Sequence, residues 1–194
     1  MRLLRHEDEN CAVYNAWRVE SYFEGALSHL PVFWVMSIES RIASLGLKLP
    51  AATTPLANYV PFRRTGNLLF LSGQIPKRVD ENGSSVLLTG KLGQNFTVEQ
   101  GQAAAKLCAL NMIAQVKEAC EGDLSRVKSV VKVEAFVNAT PEFTDHPKVI
   151  SGCSDLLVSV FGGDVGRHSR FAVGCSSLPL GVAVEIGAVF ELAD

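Results

Sequence analysis

The chain has 194 residues, of which 47% are hydrophobic and 20% are charged. This balance excludes intrinsic disorder over the whole chain, and 16 Gly and 8 Pro without a regular period exclude a collagen-like or low-complexity protein. Lysine and arginine total 18 against 20 for aspartate and glutamate, so the formal net charge is −2. Because affinity for nucleic acid comes largely from neutralised phosphates, we expect no nucleic-acid partner.

The cysteines, the histidines and the N-terminal charges bear on metals and on the cellular compartment. The five cysteines form no C-x-x-C pair and no cysteine or histidine pair has zinc spacing, so we expect no metal site. Their odd number fits a reducing compartment, and we expect the cytoplasm. The acidic run His6 to Glu9 argues against a secretory signal or a mitochondrial transit peptide, although Arg2 and Arg5 leave a mitochondrial location as the alternative. The run Leu30 to Met36 is far shorter than a membrane span, so no membrane association is expected.

Residues 1–36 differ from the rest of the chain. They show no sustained hydrophobic period and contain both tryptophans, Trp17 and Trp34. Two interpretations are open: a peripheral, poorly ordered extension, or a segment that docks onto a partner. We favour the first, because chain termini are often held by few contacts. The globular domain is predicted to span residues 37–194.

The first part of this domain is predicted to contain a helix and a hairpin. Ser37 to Leu45 reads as a short helix that ends at Gly46. Two strands, Tyr59 to Arg64 and Leu68 to Gln74, flank Thr65-Gly66-Asn67, a sequence typical of a hairpin turn.

A loop and a long helix are predicted next. The polar stretch Lys77 to Gly93 reads as a long loop with one short strand at Val86 to Leu88. Thr97 with Gln100 forms a capping-box pattern that begins a helix, and Gly122 marks its end. The apolar stripe of this helix is predicted to be Ala103, Leu107, Leu110, Ala114 and Val116.

The rest of the chain is predicted to alternate between strand and helix. Val127 to Asn138 alternates in polarity and reads as a strand, and Thr140-Pro141 opens a helical region. The apolar residues of that helix are Val149, Ile150, Cys153, Leu156, Leu157, Val160 and Phe161. Two strands, Arg170 to Cys175 and Val182 to Leu192, close the chain.

The order ββαβαββ predicts an α+β domain with one mixed sheet. Both long helices are expected on one face of that sheet. No third helix of the core region remains to cover the other face, so oligomerisation is expected to cover it.

The last two strands carry the main candidates for chemistry. On the final strand one face is apolar throughout, and the other face places Glu185 among small residues. If the two strands pair symmetrically about Ser177–Leu178, Arg170 falls opposite Glu185. An arginine fork can bind a carboxylate and a nearby carboxylate can accept a proton from water, which suits hydrolysis or proton transfer on a small 2-substituted acid. The alternative interpretation is a plain cross-strand ion pair.

Three segments between Ser37 and Leu192 resemble the RidA/YjgF family of enamine and imine deaminases, also called the L-PSP endoribonuclease family. Ser72-Gly73-Gln74-Ile75-Pro76 is similar to the family's SGQ-[IVL]-P strand end. Tyr59, thirteen residues before Ser72, matches the family tyrosine. Arg170, Leu178-Pro179 eight and nine residues later, and Val184-Glu185-Ile186 are similar to the family's R-x7-LP…VEIE ending.

The resemblance implies a chorismate-mutase-like α+β fold and a homotrimer with clefts between subunits. It implies that Arg170 binds the substrate carboxylate and that Glu185 positions or activates water. Tyr59 would line the pocket, and the backbone of Gly73 would contact the nitrogen end of the substrate. The implied reaction is hydrolysis of 2-imino acids, formed from enamines of the 2-aminoacrylate type, to 2-keto acids and ammonia, without a cofactor.

Some residues depart from the family pattern, and other functions are open. Ala57-Asn58 stands where the family has Gly-Pro, Ala172 stands where a cysteine is frequent, and the loop after Pro76 is long. One alternative is an endoribonuclease, for which no acid–base histidine pair is evident. A second is a non-enzymatic ligand-binding or interaction module, and a third, chorismate mutase, rests on fold analogy alone.

Overall fold

The computed structural model describes residues 36–52 and 58–194. The predicted N-terminal extension lies outside the described residues except for Met36, and so does Ala57. The helices are α1 (Ile38–Ser44), α2 (Val98–Ala119), α3 (His146–Phe161) and α4 (Gly163–Gly166), with 3-10 turns at Leu124–Arg126 and Pro179–Gly181. The strands are β1 (Phe62–Thr65), β2 (Leu68–Gln74), β3 (Lys77–Val79), β4 (Ser85–Leu87), β5 (Val127–Asn138), β6 (Ser169–Cys175) and β7 (Val184–Leu192).

Capping side chains fix where the helices begin. The Ser37 hydroxyl accepts a hydrogen bond from the Ser40 amide at the start of α1. At the start of α2, Thr97 and Gln100 exchange the two hydrogen bonds of a capping box, as the sequence predicts. In the part of the chain that the structure describes, none of the helices is long and apolar enough to cross a membrane.

A five-stranded sheet in the order β1-β2-β7-β5-β6 forms the centre of the fold. The pair β5–β6 is parallel and the other neighbours are antiparallel, so the prediction of a mixed sheet is confirmed. β3 and β4 form a separate two-stranded hairpin. The sequence predicts a loop with one short strand there; the Asn82-Gly83 turn instead brings two short strands together, because the Asp80 carboxylate accepts the Asn82 and Ser84 amides.

Helices α2 and α3 cover one face of this sheet and pack against each other. All seven apolar residues predicted for α3 are buried in the core. The stripe predicted for α2 is confirmed only at its C-terminal end, where Ala114 and Val116 are buried. Nearer the N-terminus it is wrong, because Ala103 is exposed and Leu107 and Leu110 are half-buried. The run of three alanines from Ala103 to Ala105 fits more than one helical phase, and the core takes Ala104 and Ala105.

The predicted hairpin between the last two strands is wrong. β6 runs parallel to β5, and β7 lies on the other side of β5, between β5 and β2. Residues 176–183 therefore carry the chain across the end of β5, with Leu180 in the left-handed region at φ 56°. The cross-strand contact between Arg170 and Glu185 that depended on this hairpin does not form within the chain.

Candidate active site

Arg170 and Glu185 point to opposite faces of the sheet. Arg170 is in register with Val133, which is buried beneath the helices, whereas Glu185 is in register with Phe136 on the uncovered face. Val133 and Phe136 are three residues apart on β5, and successive residues of a strand alternate between faces. A plain ion pair inside one chain is thereby excluded as the role of these two residues.

Glu185 lies half-buried on the uncovered face, against Gly73 of β2. A Cβ built on Gly73 would overlap Oε1 of Glu185, so only glycine leaves space for the carboxylate in this position. Burial raises the pKa of the Glu185 carboxyl above its ordinary value. Within residues 36–52 and 58–194 no cation pairs with this carboxylate. A raised pKa makes this carboxylate a stronger acceptor for a proton of water.

The end of β2 is held so that Gly73 faces Glu185. The pairing of β2 with β7 is irregular between Leu71 and Gln74, which brings Gly73 against Glu185 at the end of the strand. The segment after it is fixed from α2, where the buried Asn111 amide donates to the carbonyls of Ile75 (2.9 Å) and Lys77 (3.1 Å). The backbone that follows Ser72-Gly73-Gln74 is therefore held in place by hydrogen bonds from α2, next to the Glu185 carboxylate.

Arg170 is held on the other side of the sheet by the N-terminal half of α3. Its guanidinium donates to Ser154 Oγ at 3.1 Å and to the Pro147 carbonyl at 3.3 Å. Ser154 also contacts His168 Nε2 at 3.0 Å, and His168 Nδ1 lies 2.7 Å from the Gly166 carbonyl. That carbonyl can only accept, so Nδ1 carries the proton and Nε2 accepts the Ser154 hydroxyl.

This chain of hydrogen bonds leaves Arg170 free to bind an anion. Among the described residues, two of the five N–H donors of the guanidinium are used, and the residue is exposed at the edge strand β6. Ser154 and the Pro147 carbonyl are not found by sequence reasoning, because they reach Arg170 only through the parallel pairing of β5 and β6. Arg170 thus retains the geometry for a carboxylate.

Tyr59 lies just before β1 and is 58% exposed. The Val60 carbonyl that follows it accepts the Ser72 hydroxyl at 2.7 Å, which holds this segment beside the Ser72-Gly73 strand end. The predicted strand from Tyr59 begins only at Phe62. The hydrogen bond to the Val60 carbonyl places the residue after Tyr59 next to Ser72. Within the described ranges the Tyr59 hydroxyl has no hydrogen-bond partner.

Apolar side chains are exposed across the face of the sheet away from the helices. Leu68, Phe70, Phe136 and Val173 are between 37% and 43% exposed. Phe136 meets Phe171 edge to face, with ring centroids 5.8 Å apart. Patches of this kind usually mark an interface with another protein chain. In the described part of the chain, no group of three or more His, Cys, Asp or Glu side chains could hold a metal ion.

Comparison with known proteins identifies relatives over most of the chain. The family described as "YjgF/chorismate mutase-like, putative endoribonuclease" matches residues 39–192. Protein TCP17 of Trypanosoma cruzi is 49% identical over 155 residues, which are 80% of this chain and 94% of that protein. The 2-iminobutanoate/2-iminopropanoate deaminase of Dermatophagoides farinae is 26% identical over 143 residues, which are 74% of this chain and 92% of that protein.

Solved structures agree with these matches. Atu1372 of Agrobacterium tumefaciens, a protein of unknown function, is 47% identical and superposes with a TM-score of 0.71 over 80% of this chain and 92% of that one. The mixed sheet with two long helices on one face is the α+β fold that the resemblance implies, and that expectation is confirmed. The chain belongs to the YjgF/chorismate mutase-like family.

Proposed function

We propose that the protein hydrolyses reactive 2-imino acids and their enamine precursors to 2-keto acids and ammonia. The observation that carries the proposal is the half-buried Glu185 carboxylate, whose pKa is raised by burial and which lies against Gly73. A base whose pKa is moved toward neutrality suits proton transfer from water. The deaminase name of the Dermatophagoides farinae relative supports the same reaction class.

The reaction needs few groups. Water attacks the electrophilic imine carbon, so that a C–O bond forms, and the C–N bond then breaks as protons pass to the nitrogen, which leaves as ammonia. Glu185 accepts the proton of the attacking water and returns it to the nitrogen. Arg170 binds the carboxylate through its free N–H groups, the Gly73 backbone contacts the nitrogen end of the substrate, and Tyr59 lines the pocket. No cofactor is required, because the protonated imine is already electrophilic.

A homotrimer would complete this site. Arg170 and Glu185 lie on opposite faces of one sheet, so one chain cannot bring both to a small substrate. If the exposed apolar face packs against neighbouring copies, the Glu185 side of one subunit can meet the exposed β6 edge of the next. We propose that each active site combines Arg170 of one subunit with Glu185, Gly73 and Tyr59 of its neighbour.

The test is release of ammonia from 2-iminobutyrate generated in the cuvette by an amino acid oxidase. The protein should accelerate hydrolysis above the spontaneous rate, and Arg170→Lys should raise KM because it keeps the charge but loses the planar fork. Lys128→Gln, a change at an exposed residue of β5, is the matched control and should behave as the parent. Parent rates in folded Arg170→Lys and Glu185→Gln variants would remove the assignment. The non-enzymatic module would then stand in its place, or the endoribonuclease if purified protein cleaves RNA.

A further inference from the structure

A cavity of about 510 Å³ opens where β5 and β6 end. Polar side chains from four segments line it, namely those of Lys91, Thr140, His146 and Ser176. Ala139, Pro141 and Phe143 add an apolar wall. A concave site with a small apolar surface and a few converging polar groups is the usual form of a small-molecule pocket.

The Lys91 ammonium gives this cavity a fixed positive charge. Its Nζ donates to Asn138 Oδ1 at 2.7 Å and to the Ser176 carbonyl at 2.6 Å. Asn138 is itself buried and held by a hydrogen bond to the Val182 carbonyl. Both acceptors are neutral, so they orient the ammonium without cancelling its charge. Its third N–H has no acceptor among residues 36–52 and 58–194 and is available to a ligand.

Lys91 forms no ion pair with an acidic side chain in the described part of the chain. The ion pairs among residues 36–52 and 58–194 join Lys132 to Glu134 and Lys148 to Asp145, and neither includes Lys91. Two acidic residues lie near this wall. The Asp145 carboxylate, just before α3, is bound by Lys148 at 2.9 Å. Glu142, between the lining residues Pro141 and Phe143, is exposed and forms no ion pair with Lys91. A half-buried cation without a carboxylate partner favours a bound anion.

The cavity adjoins the Arg170 half of the proposed active site, although Arg170 itself is not one of the lining residues. His146 lines the cavity, and the carbonyl of the next residue, Pro147, accepts a hydrogen bond from Arg170. Cys175 lines the cavity from β6. The pKa of its thiol is raised, mainly by burial and to a smaller extent by the Glu185 carboxylate. A hydrogen bond from the Ser177 backbone and the Lys91 ammonium act in the opposite direction. The charge of Glu185 of the same chain therefore also reaches this wall, although Glu185 forms no ion pair with Lys91 among the described residues.

We infer that Lys91 selects substrates with a second carboxylate, so that the preferred class is 2-imino acids with acidic side chains. This inference rests on the proposed function. The substrate's own carboxylate would bind Arg170, its side-chain carboxylate would bind the Lys91 ammonium, and the carbon chain between them would lie against Phe143. Thr140 and Ser176 supply further hydroxyl groups for the second carboxylate.

Binding of 2-keto acids tests the site without turnover. 2-Oxoglutarate and 2-oxovalerate have chains of equal length and differ in the second carboxylate. In calorimetric or NMR titrations the wild-type protein should bind 2-oxoglutarate on the order of tenfold more tightly, because a hydrogen bond to a charged group is worth at least that much. Lys91→Gln should remove the preference, Lys91→Arg should retain part of it, and Lys128→Gln should leave it unchanged.

Turnover separates this inference from the proposed function. Imines of glutamate and norvaline can be made by amino acid oxidases. The wild-type protein should hydrolyse the glutamate imine with the higher kcat/KM, and Lys91→Gln should abolish this difference between the two imines. Hydrolysis of both imines at equal efficiency would overturn the role of Lys91 and leave the deaminase intact. No hydrolysis, with 2-oxoglutarate still bound in a Lys91-dependent way, would overturn the deaminase and keep the site.

Lys91→Gln could destabilise the protein, because Lys91 joins Asn138 to Ser176. In that case the salt dependence of keto-acid binding to the wild-type protein tests the role of Lys91. A preference for 2-oxoglutarate that weakens as salt rises from 0.05 to about 0.5 M supports an ionic contact. Equal binding of the two keto acids at low salt would overturn the inference.

Discussion

Replacing Gly73 by alanine should disable Glu185 while the chain stays folded. The added Cβ would overlap Oε1 of Glu185 and lie 3.0 Å from both Cδ and Cγ of that side chain. Ordinary contact between heavy atoms begins near about 3.5 Å, so the carboxylate has to move by roughly 1 Å. The obstructing atoms belong to the end of a flexible side chain rather than to backbone. Rotation of Glu185 can therefore relieve the overlap at a cost of about 0.5–1.5 kcal/mol.

A displacement of this size matters far more for rate than for stability. Misplacing a reacting group by about 1 Å can lower the rate on the order of 10²-fold. We therefore expect kcat for 2-iminobutyrate to fall by about that factor in Gly73→Ala, with the unfolding temperature within a few degrees of the parent. The assay is ammonia release, with circular dichroism melting and light scattering on the same samples.

Gly187→Ala is the matched control. Gly187 lies two residues from Glu185 on the same face of β7, and the nearest neighbour of an added Cβ is the Leu71 carbonyl oxygen at 3.5 Å, an ordinary contact. This variant should keep the parent rate. Full activity in Gly73→Ala, or an equal loss in both variants, would refute the account of how Glu185 is positioned.

Three further substitutions test other parts of the account. Glu185→Gln should lower kcat by about 10²- to 10⁴-fold, whereas Glu191→Gln on the same face of β7 should not. Since burial raises the pKa of Glu185, the folded chain holds this proton more tightly and stability falls as pH rises through the folded pKa. The unfolding temperature of Glu185→Gln should thus be higher than that of the parent at pH 8, and the difference should disappear by pH 4. Ser154→Ala should raise KM several-fold with little change in kcat, because it loosens the arginine that binds the carboxylate, and Ser159→Ala in the same helix should change neither. Phe136→Glu on the exposed apolar face should yield monomers in light scattering and no activity; an active trimer would exclude this face as the interface.

Patterns confined to one segment predict this fold well. The helical period of α3 identifies its buried residues, and the Thr97–Gln100 spacing identifies the start of α2. Alternation along β7 separates the buried face from the face that carries Glu185. In each case the neighbours that matter lie within a turn of helix or a few residues of strand, so local periodicity is sufficient.

The partner of β6 could not be predicted in this way. A short connection between two strands ordinarily indicates a hairpin, yet residues 176–183 cross the end of β5 instead. Pairing of β6 with β5 is decided by packing of the whole sheet against α3, which no local pattern contains. The same limit applies to the side chains around β6, because Ser154 reaches Arg170 and Lys91 reaches the Ser176 carbonyl only after this topology forms.

Mixing two impaired variants tests the central claim, that Arg170 and Glu185 act together between subunits. Arg170→Lys and Glu185→Gln proteins would be co-refolded in equal amounts and assayed for ammonia release from 2-iminobutyrate, at a concentration far below the KM of Arg170→Lys, where both variants are slow. Each site of a cyclic trimer would take Arg170 from one subunit and Glu185 from the next. Random mixing of the two variants then leaves both native residues in about one quarter of the sites. About one quarter of the parent activity should therefore return. Mixed trimers that are no faster than the average of the separate variants would contradict the account.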